Sequence, residues 1–164
     1  NKYYAIISMS YLFLSCTKRK YKYSLIVLVW ESKMPSVLIE IRQKYTLDVE
    51  LGIIEAVHSA LIESFKIMPN DQHIRLVTHE PHHFQCPPEK EKPEFFTHIT
   101  IDCFVGRTLE TKRLLYKTIV NKLEPFGIPK DHTMIILREI PTDNFGIRGG
   151  QAASDIDLGF KIDV

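Results

Sequence analysis

The sequence predicts an α/β (α+β) fold of two tandem β-α-β units, forming a four-stranded mixed sheet with two helices on one face, plus a C-terminal hairpin. Three observations carry this. A strand-like run, an amphipathic helical run and a second strand-like run follow one another twice along the chain. The second copy begins about 60 residues after the first, the mark of an internal duplication. The corners Pro69-Asn70-Asp71 and Pro129-Lys130-Asp131 stand at equivalent places in the two copies.

Residues 1–33 read as an upstream extension, and 34–164 as the folded body, with repeat halves 35–86 and 95–141 and a hairpin over 142–164. The extension holds a basic knot, Lys18-Arg19-Lys20, and an apolar run from Ser24 to Trp30. Its charge is +5, which leaves −4 for the body of a chain that is +1 overall. Three readings stand for it: a targeting or membrane-surface arm, an added edge strand, or translated upstream sequence with the functional chain beginning at Met34. The third is preferred, because the apolar run ends in Trp30-Glu31-Ser32-Lys33 without a small-residue cleavage pattern.

In the first half, Ser36–Ile41 is apolar and β-branched enough for a buried strand. Thr46 offers a hydroxyl helix cap, with Asp48 and Glu50 in the first turn, where the helix dipole favours negative charge. Ile53, Ile54, Val57, Ala60, Leu61 and Phe65 recur at helical spacing, and Pro69-Asn70-Asp71 ends the helix. His73–His79 reads as a second strand, with Ile74 and Leu76 on one face and Arg75 and Val77 on the other. In the second half, Thr97–Phe104 is a strand, Thr108 the cap, and Leu115, Ile119, Leu123 and Phe126 the apolar helical stripe; Gly127 stops it and Thr133–Ile140 is the fourth strand. Pro87–Pro93 between the halves is a solvated connection. Two parallel strand pairs joined antiparallel leave one sheet face uncovered, so self-association is expected to close it. A ferredoxin-like βαββαβ sandwich is the alternative topology.

Composition excludes some classes of function. With 45% hydrophobic and 25% charged residues the chain is an ordinary globular one, and its acidic body lacks the basic footprint of a nucleic-acid binder. No segment approaches the roughly 20 apolar residues that cross a bilayer. Three cysteines, Cys16, Cys86 and Cys103, point to reduced thiols and a cytoplasmic setting, with Cys103 as buried filler. No cofactor and no metal are expected. His79-Glu80-Pro81-His82-His83 spells a zinc-protease pattern, but Pro81 and the nearby Pro87-Pro88 deny it the helix that would bring both histidines to one face; a metal-dependent hydrolase using His79 and His83 is nonetheless one reading to test. His58 is expected at the surface or core edge.

The order of three stretches resembles the tautomerase superfamily, whose subunits are single or fused β-α-β units with a catalytic proline at the mature N-terminus. Pro35 directly precedes a strand. Gly106-Arg107-Thr108, with Glu110 and Lys112 beyond, resembles the turn after the first strand of 4-oxalocrotonate tautomerase. Phe145-Gly146-Ile147-Arg148-Gly149-Gly150, followed by Ala153-Ser154, resembles that enzyme's C-terminal hairpin with one residue added. The fused length and the Asp71 corner resemble the malonate semialdehyde decarboxylase branch. The chain departs from that branch in having Val105 where a first arginine would stand, leaving Arg107 alone; in the first half Tyr45 stands at the position of Arg107.

The resemblance implies a homotrimer acting on a small 2-oxo or unsaturated carboxylate through an enol. Pro35, freed by removal of Met34, is the implied acid/base: inside a chain its nitrogen is an amide, at a terminus a secondary amine that moves protons. Arg107 would hold the substrate carboxylate in a forked pair of hydrogen bonds and lower the amine's pKa. Phe145 would supply an apolar wall, Arg75 falls near the family's second-strand arginine, and Arg148 is the residue inserted in the hairpin, reaching a neighbouring subunit's site or solvent. If the amine instead stays protonated and Asp71 activates water, hydration, dehalogenation or decarboxylation results. A non-catalytic oligomeric binding module on the same scaffold is the remaining reading. Each residue also has a purely structural one: an edge-strand proline for Pro35, a turn residue for Asp71, a turn cap for Arg107.

Overall fold

Alternation of burial along the first strand sets the architecture. In a computed structural model describing residues 35–158, strand β1 (Ser36–Ile41) buries Val37, Ile39 and Ile41 completely while Ser36, Leu38 and Glu40 face the other way. The period of two puts every second side chain on one face. The upstream extension, including its apolar run from Ser24 to Trp30, lies outside the described residues.

Helix α1 (Leu47–Phe65) returns the chain over that buried face with Ile53, Val57, Ala60, Leu61 and Phe65, and strand β2 (Ile74–Thr78) then lies parallel to β1. Strand β3 (Thr97–Phe104), helix α2 (Leu109–Leu123) and strand β4 (Thr133–Ile140) repeat the path, with β4 parallel to β3. The sheet order is β2-β1-β3-β4, and β1 pairs β3 antiparallel from Ser36–Asp102 to Ile41–Thr97. Two parallel pairs joined antiparallel match the expected topology, and this order excludes the ferredoxin-like alternative. A two-stranded hairpin, β5 (Gly146–Ile147) and β6 (Gln151–Ala152), follows.

Register turns the strands into rows of side chains. On the helix side, Leu76, Ile39, Ile99 and Ile135 form one row and Ile74, Val37, Ile101 and Leu137 the next, packed beneath Ile53, Val57, Leu61, Leu115, Ile119 and Leu123. Gly52 lies inside α1, where glycine costs about 1 kcal/mol against alanine; a Cβ there would stand 2.6 Å from the Phe126 ring, so the glycine admits that ring beside the helix. Phe126 itself sits in a short 3-10 turn (Glu124–Phe126) that continues α2.

The two caps differ. The Thr108 hydroxyl accepts from the Thr111 amide at 3.3 Å, as expected, whereas Thr46 occupies the cap position of α1 without making a side-chain bond. Asp48 and Glu50 still place negative charge in that first turn.

The opposite sheet face carries Arg75, Leu38, Thr100 and Ile136 in one row and Val77, Glu40, His98 and Met134 in the next. No helix covers it. Val77, Met134 and Ile136 are 41%, 50% and 37% exposed, while Glu40 sits between His79 Nε2 at 2.9 Å and His98 Nδ1 at 3.3 Å.

Ile99 is enclosed by Ile39 and Ile135 in the central row and has no accessible surface. Ile99→Ala should therefore cost about 3 kcal/mol from lost burial and the cavity left behind. Urea denaturation checks this: the midpoint falls with little change in slope.

Candidate active site

Because β1 and β2 run against β3 and β4, one end of the sheet gathers the starts of the first two strands and the ends of the last two. Pro35 precedes β1 and is buried. The Ser36–Asp102 pair puts it at the position facing Cys103. Asp71 precedes β2 at the same end, where the His73 carbonyl accepts the Val37 amide at 2.8 Å. The turn Val105-Gly106-Arg107 leaves β3 there, held by the Val105 amide on the Ile140 carbonyl at 3.3 Å.

Arg107 is 4% exposed, and its side chain runs inward. Nη1 donates to the Phe104 carbonyl at 2.8 Å, and the guanidinium carbon stands 4.6 Å from the centroid of the Phe65 ring at the end of α1. Nε and Nη2 are buried and have no hydrogen-bond partner among the described residues. Burial pushes the guanidinium below its ordinary value, while Cys103 and Glu139 act the other way; an arginine so placed keeps its charge at neutral pH. Two nitrogens of a buried cation thus remain for an anionic partner, and leaving them unmet is costly.

Asp71 is 5% exposed, with Oδ1 3.4 Å from His73 Nε2. Its repeat partner Asp131 differs: that side chain is 70% exposed and bonds to His132 Nδ1 at 2.8 Å and Lys90 Nζ at 3.4 Å. The sequence alone did not separate the two aspartates; burial does.

Phe145 packs its ring edge-on against Phe104 with centroids 4.6 Å apart, and Phe104 joins Ile147 and Ala153 in a small second core. The hairpin thereby closes the site end on the side away from the helices. Arg75 stands on the uncovered sheet face, opposite the helix side to which Arg107 turns, beside a cavity of about 390 Å³ also lined by Ser36, Gln72 and His73. Within one chain the structure does not bring it to Arg107. Arg148, with a left-handed φ of 46°, lies exposed in the hairpin turn and donates to the Asp157 carbonyl at 3.5 Å.

Sequence reasoning missed Phe65, seen only as a core residue, and Glu139, which had no motif to mark it. It also placed His58 too far out: this histidine is 2% exposed, between Glu55 and Gln72. In the zinc-protease-like segment, Pro81–His83 forms a turn, His79 engages Glu40 and Glu80 pairs with Lys44, so the two histidines share no helical face.

Two β-α-β units are thus fused into one sheet, with a proline ahead of the first strand and a buried arginine after the third at the same sheet end. The family described as Tautomerase enzyme matches residues 71–148. A malonate semialdehyde decarboxylase structure, inhibited by 3-bromopropiolate, is similar with a TM-score of 0.65 and 24% identity, over 71% of this chain and 92% of that one. A native fused 4-OT aligns with a TM-score of 0.66 and 20% identity over 74% and 98% of the two chains. An asymmetric trimer of fused 4-OT gives 0.65 and 19% over 73% and 97%. A search of curated proteins returns no match. Residues 71–148 thus match that family, and the body as a whole has the fused double β-α-β fold of these structures. No helix of the described residues is long and apolar enough to cross a membrane.

Cys103, opposite Pro35 in the register, is fully buried, and that burial pushes its thiol up to about 11. A raised thiol pKa favours the neutral form, so at about pH 8 the nucleophilic thiolate is scarce as well as enclosed. Alkylation of the native protein at that pH, read by peptide mass spectrometry, should label half-buried Cys86 and leave Cys103 unmodified until the chain is denatured.

Proposed function

We propose that this protein is a tautomerase in which Pro35, once it is the N-terminal residue, moves a proton on a small 2-oxo or unsaturated carboxylate through an enol. The observation that carries the reading is Arg107: a buried guanidinium with two nitrogens unpartnered among the described residues, at the sheet end where β1 begins. The edge formed by Nε and Nη2 suits a carboxylate or a developing enolate oxygen. A terminal proline amine is normally too basic to act as a base at neutral pH. Burial, together with a neighbouring cation, disfavours the ammonium and brings the amine toward the working range. The amine then takes a proton from carbon, Arg107 stabilises the charge that develops on oxygen, and the new ammonium returns the proton to the other end of the enol. The Phe104–Phe145 pair supplies an apolar boundary that limits water and strengthens both electrostatic effects.

In the sequence Met34 precedes Pro35, so the nitrogen is an amide and the reaction requires cleavage between them. An initiator methionine before proline is readily removed, so a chain begun at Met34 exposes the amine. A second reading keeps the amine protonated and uses Asp71 to direct water onto an unsaturated acid. Its support is the near-complete burial of that carboxyl beside His73, together with the likeness to a malonate semialdehyde decarboxylase. Product analysis separates the two: an isomer of equal mass from the first, a hydrated or decarboxylated acid from the second.

A chain beginning at Pro35 should ketonise phenylenolpyruvate, and Pro35→Ala in that chain should lower the rate by a factor on the order of 10² or more, as loss of an acid/base group does. Circular dichroism unchanged from wild type keeps the comparison valid. Full activity in Pro35→Ala overturns the assignment.

The uncovered sheet face supports self-association, as a homotrimer, through Leu38, Val77, Met134 and Ile136. Ile136→Glu places a charge in the middle of that face and should convert the assembly to monomers, read as molar mass by light scattering. Wild-type protein that is monomeric at micromolar concentration sinks this part of the proposal.

A further inference from the structure

We propose that Glu139 is a positioning residue that sets the reach of the Arg107 guanidinium, by holding the Gly106–Arg107 turn while Lys112 neutralises its charge. The inference rests on the reading of Arg107 as the group that binds a carboxylate.

The turn is poorly held by its own backbone. Beyond the Val105–Ile140 bond the ladder ends, and Gly106 has a φ of 120°, a conformation that suits glycine and makes no regular pairing. The Gly106 amide instead donates to Glu139 Oε1 at 3.4 Å, while Glu139 Oε2 accepts from Lys112 Nζ at 2.7 Å. Glu139 is the penultimate residue of β4 and pairs with Cys103; Lys112 lies in the first turn of α2. One carboxylate therefore ties a strand, a turn and a helix at the point where Arg107 leaves the backbone. The Glu139 carboxyl is held below its ordinary value, first by the Lys112 hydrogen bond and further by the Gly106 and Arg107 amides. The Lys112 and Glu139 side chains are 19% and 30% exposed, so the pair is only partly screened by water.

Neutralisation matters as much as tethering. Glu139 is an acidic group close enough to Arg107 to affect its charge, yet Nη1 goes to the Phe104 carbonyl and the other two nitrogens stay uncommitted. With Lys112 occupying Oε2, Glu139 fixes the Arg107 backbone without claiming its side chain. Removing Lys112 leaves a carboxylate that competes with any incoming one for the guanidinium; removing the Glu139 charge as well takes that competitor away.

The test uses the full chain, isotope-labelled, with the Arg107 Nε–H resonance as the reporter, so no turnover and no free Pro35 amine are needed. In the ligand-free protein, Glu139→Ala should raise Nε–H exchange with solvent about tenfold, while Glu139→Gln, which keeps an acceptor for the turn, stays within about threefold of wild type. Titrated with pyruvate as a 2-oxo carboxylate probe, Lys112→Met should bind about tenfold more weakly, and Lys112→Met with Glu139→Gln should recover most of that loss. A purely structural pair would instead make the double variant as weak as the single one, or weaker. Unchanged exchange in Glu139→Ala, or no recovery in the double variant, overturns the proposal. A wild-type Nε–H resonance that pyruvate does not move refutes the carboxylate-binding reading itself, and the ligand-free exchange result distinguishes that failure from a failure of positioning.

Discussion

The antiparallel register of β1 against β3 is the constraint on which the remaining geometry depends. Ser36 opposite Asp102 and Ile41 opposite Thr97 put all three buried residues of β1 in rows with buried residues of β3, so a slip of one position would turn Val37, Ile39 and Ile41 toward the uncovered face. The same register decides that the start of β1 meets the end of β3. Pro35, Asp71, Gly106, Arg107 and Glu139 come from four distant stretches of chain, and it is core packing that delivers them to one sheet end. The chemistry proposed there is thus inherited from a hydrophobic decision made a few residues away.

The duplicated pattern makes the contrast between the two sheet ends informative. At the far end the register sets Phe96 opposite Arg42, as it sets Pro35 opposite Cys103 at the near one, and Tyr45 stands where the second half has Arg107. Arg42 is already engaged, donating to the carbonyls of Pro93 and Pro81. The Tyr45 phenol is pushed up to about 12 by burial, with Glu94 adding to the shift, so it stays neutral. Asp131 is exposed and tied to His132 and Lys90. Equivalent positions in the two halves have therefore diverged in burial and in available donors: among the described residues Arg107 keeps two buried nitrogens unpartnered, whereas Arg42 keeps only its Nε.

Element order, helix stripes and all four sheet strands were legible in the sequence because each rests on local periodicity. Ile53, Val57, Leu61 and Phe65, or Leu115, Ile119 and Leu123, announce a helix face wherever it is later packed. The parallel–antiparallel–parallel sheet followed from connection geometry. What sequence could not supply was the direction in which individual polar side chains point. Asp71 and Asp131 stand at matching proline-led corners and have opposite exposures. Arg75 and Arg107 both read as carboxylate ligands, and it is the register that reveals their placement on opposite faces of the sheet. Glu139 was hidden because its role depends on a turn 33 residues earlier and a lysine 27 residues earlier, contacts that leave no periodic trace. Thr46 shows the converse, a sound local signal for a cap whose bond the folded chain does not make.

The Arg42 guanidinium, with one nitrogen on the Pro81 carbonyl and another on that of Pro93, has a topological consequence. It staples both ends of the connection between the halves to the end of β1, closing it into a loop within one subunit. Closing a loop of this length costs only a few RT of chain entropy, so two charge-assisted bonds suffice to keep it shut. Duplicated halves with complementary edges are the arrangement most exposed to exchanging partners between chains. A linker anchored at both ends cannot extend toward a second subunit without first releasing both carbonyls, so each chain is biased to complete its own sheet before it meets another copy.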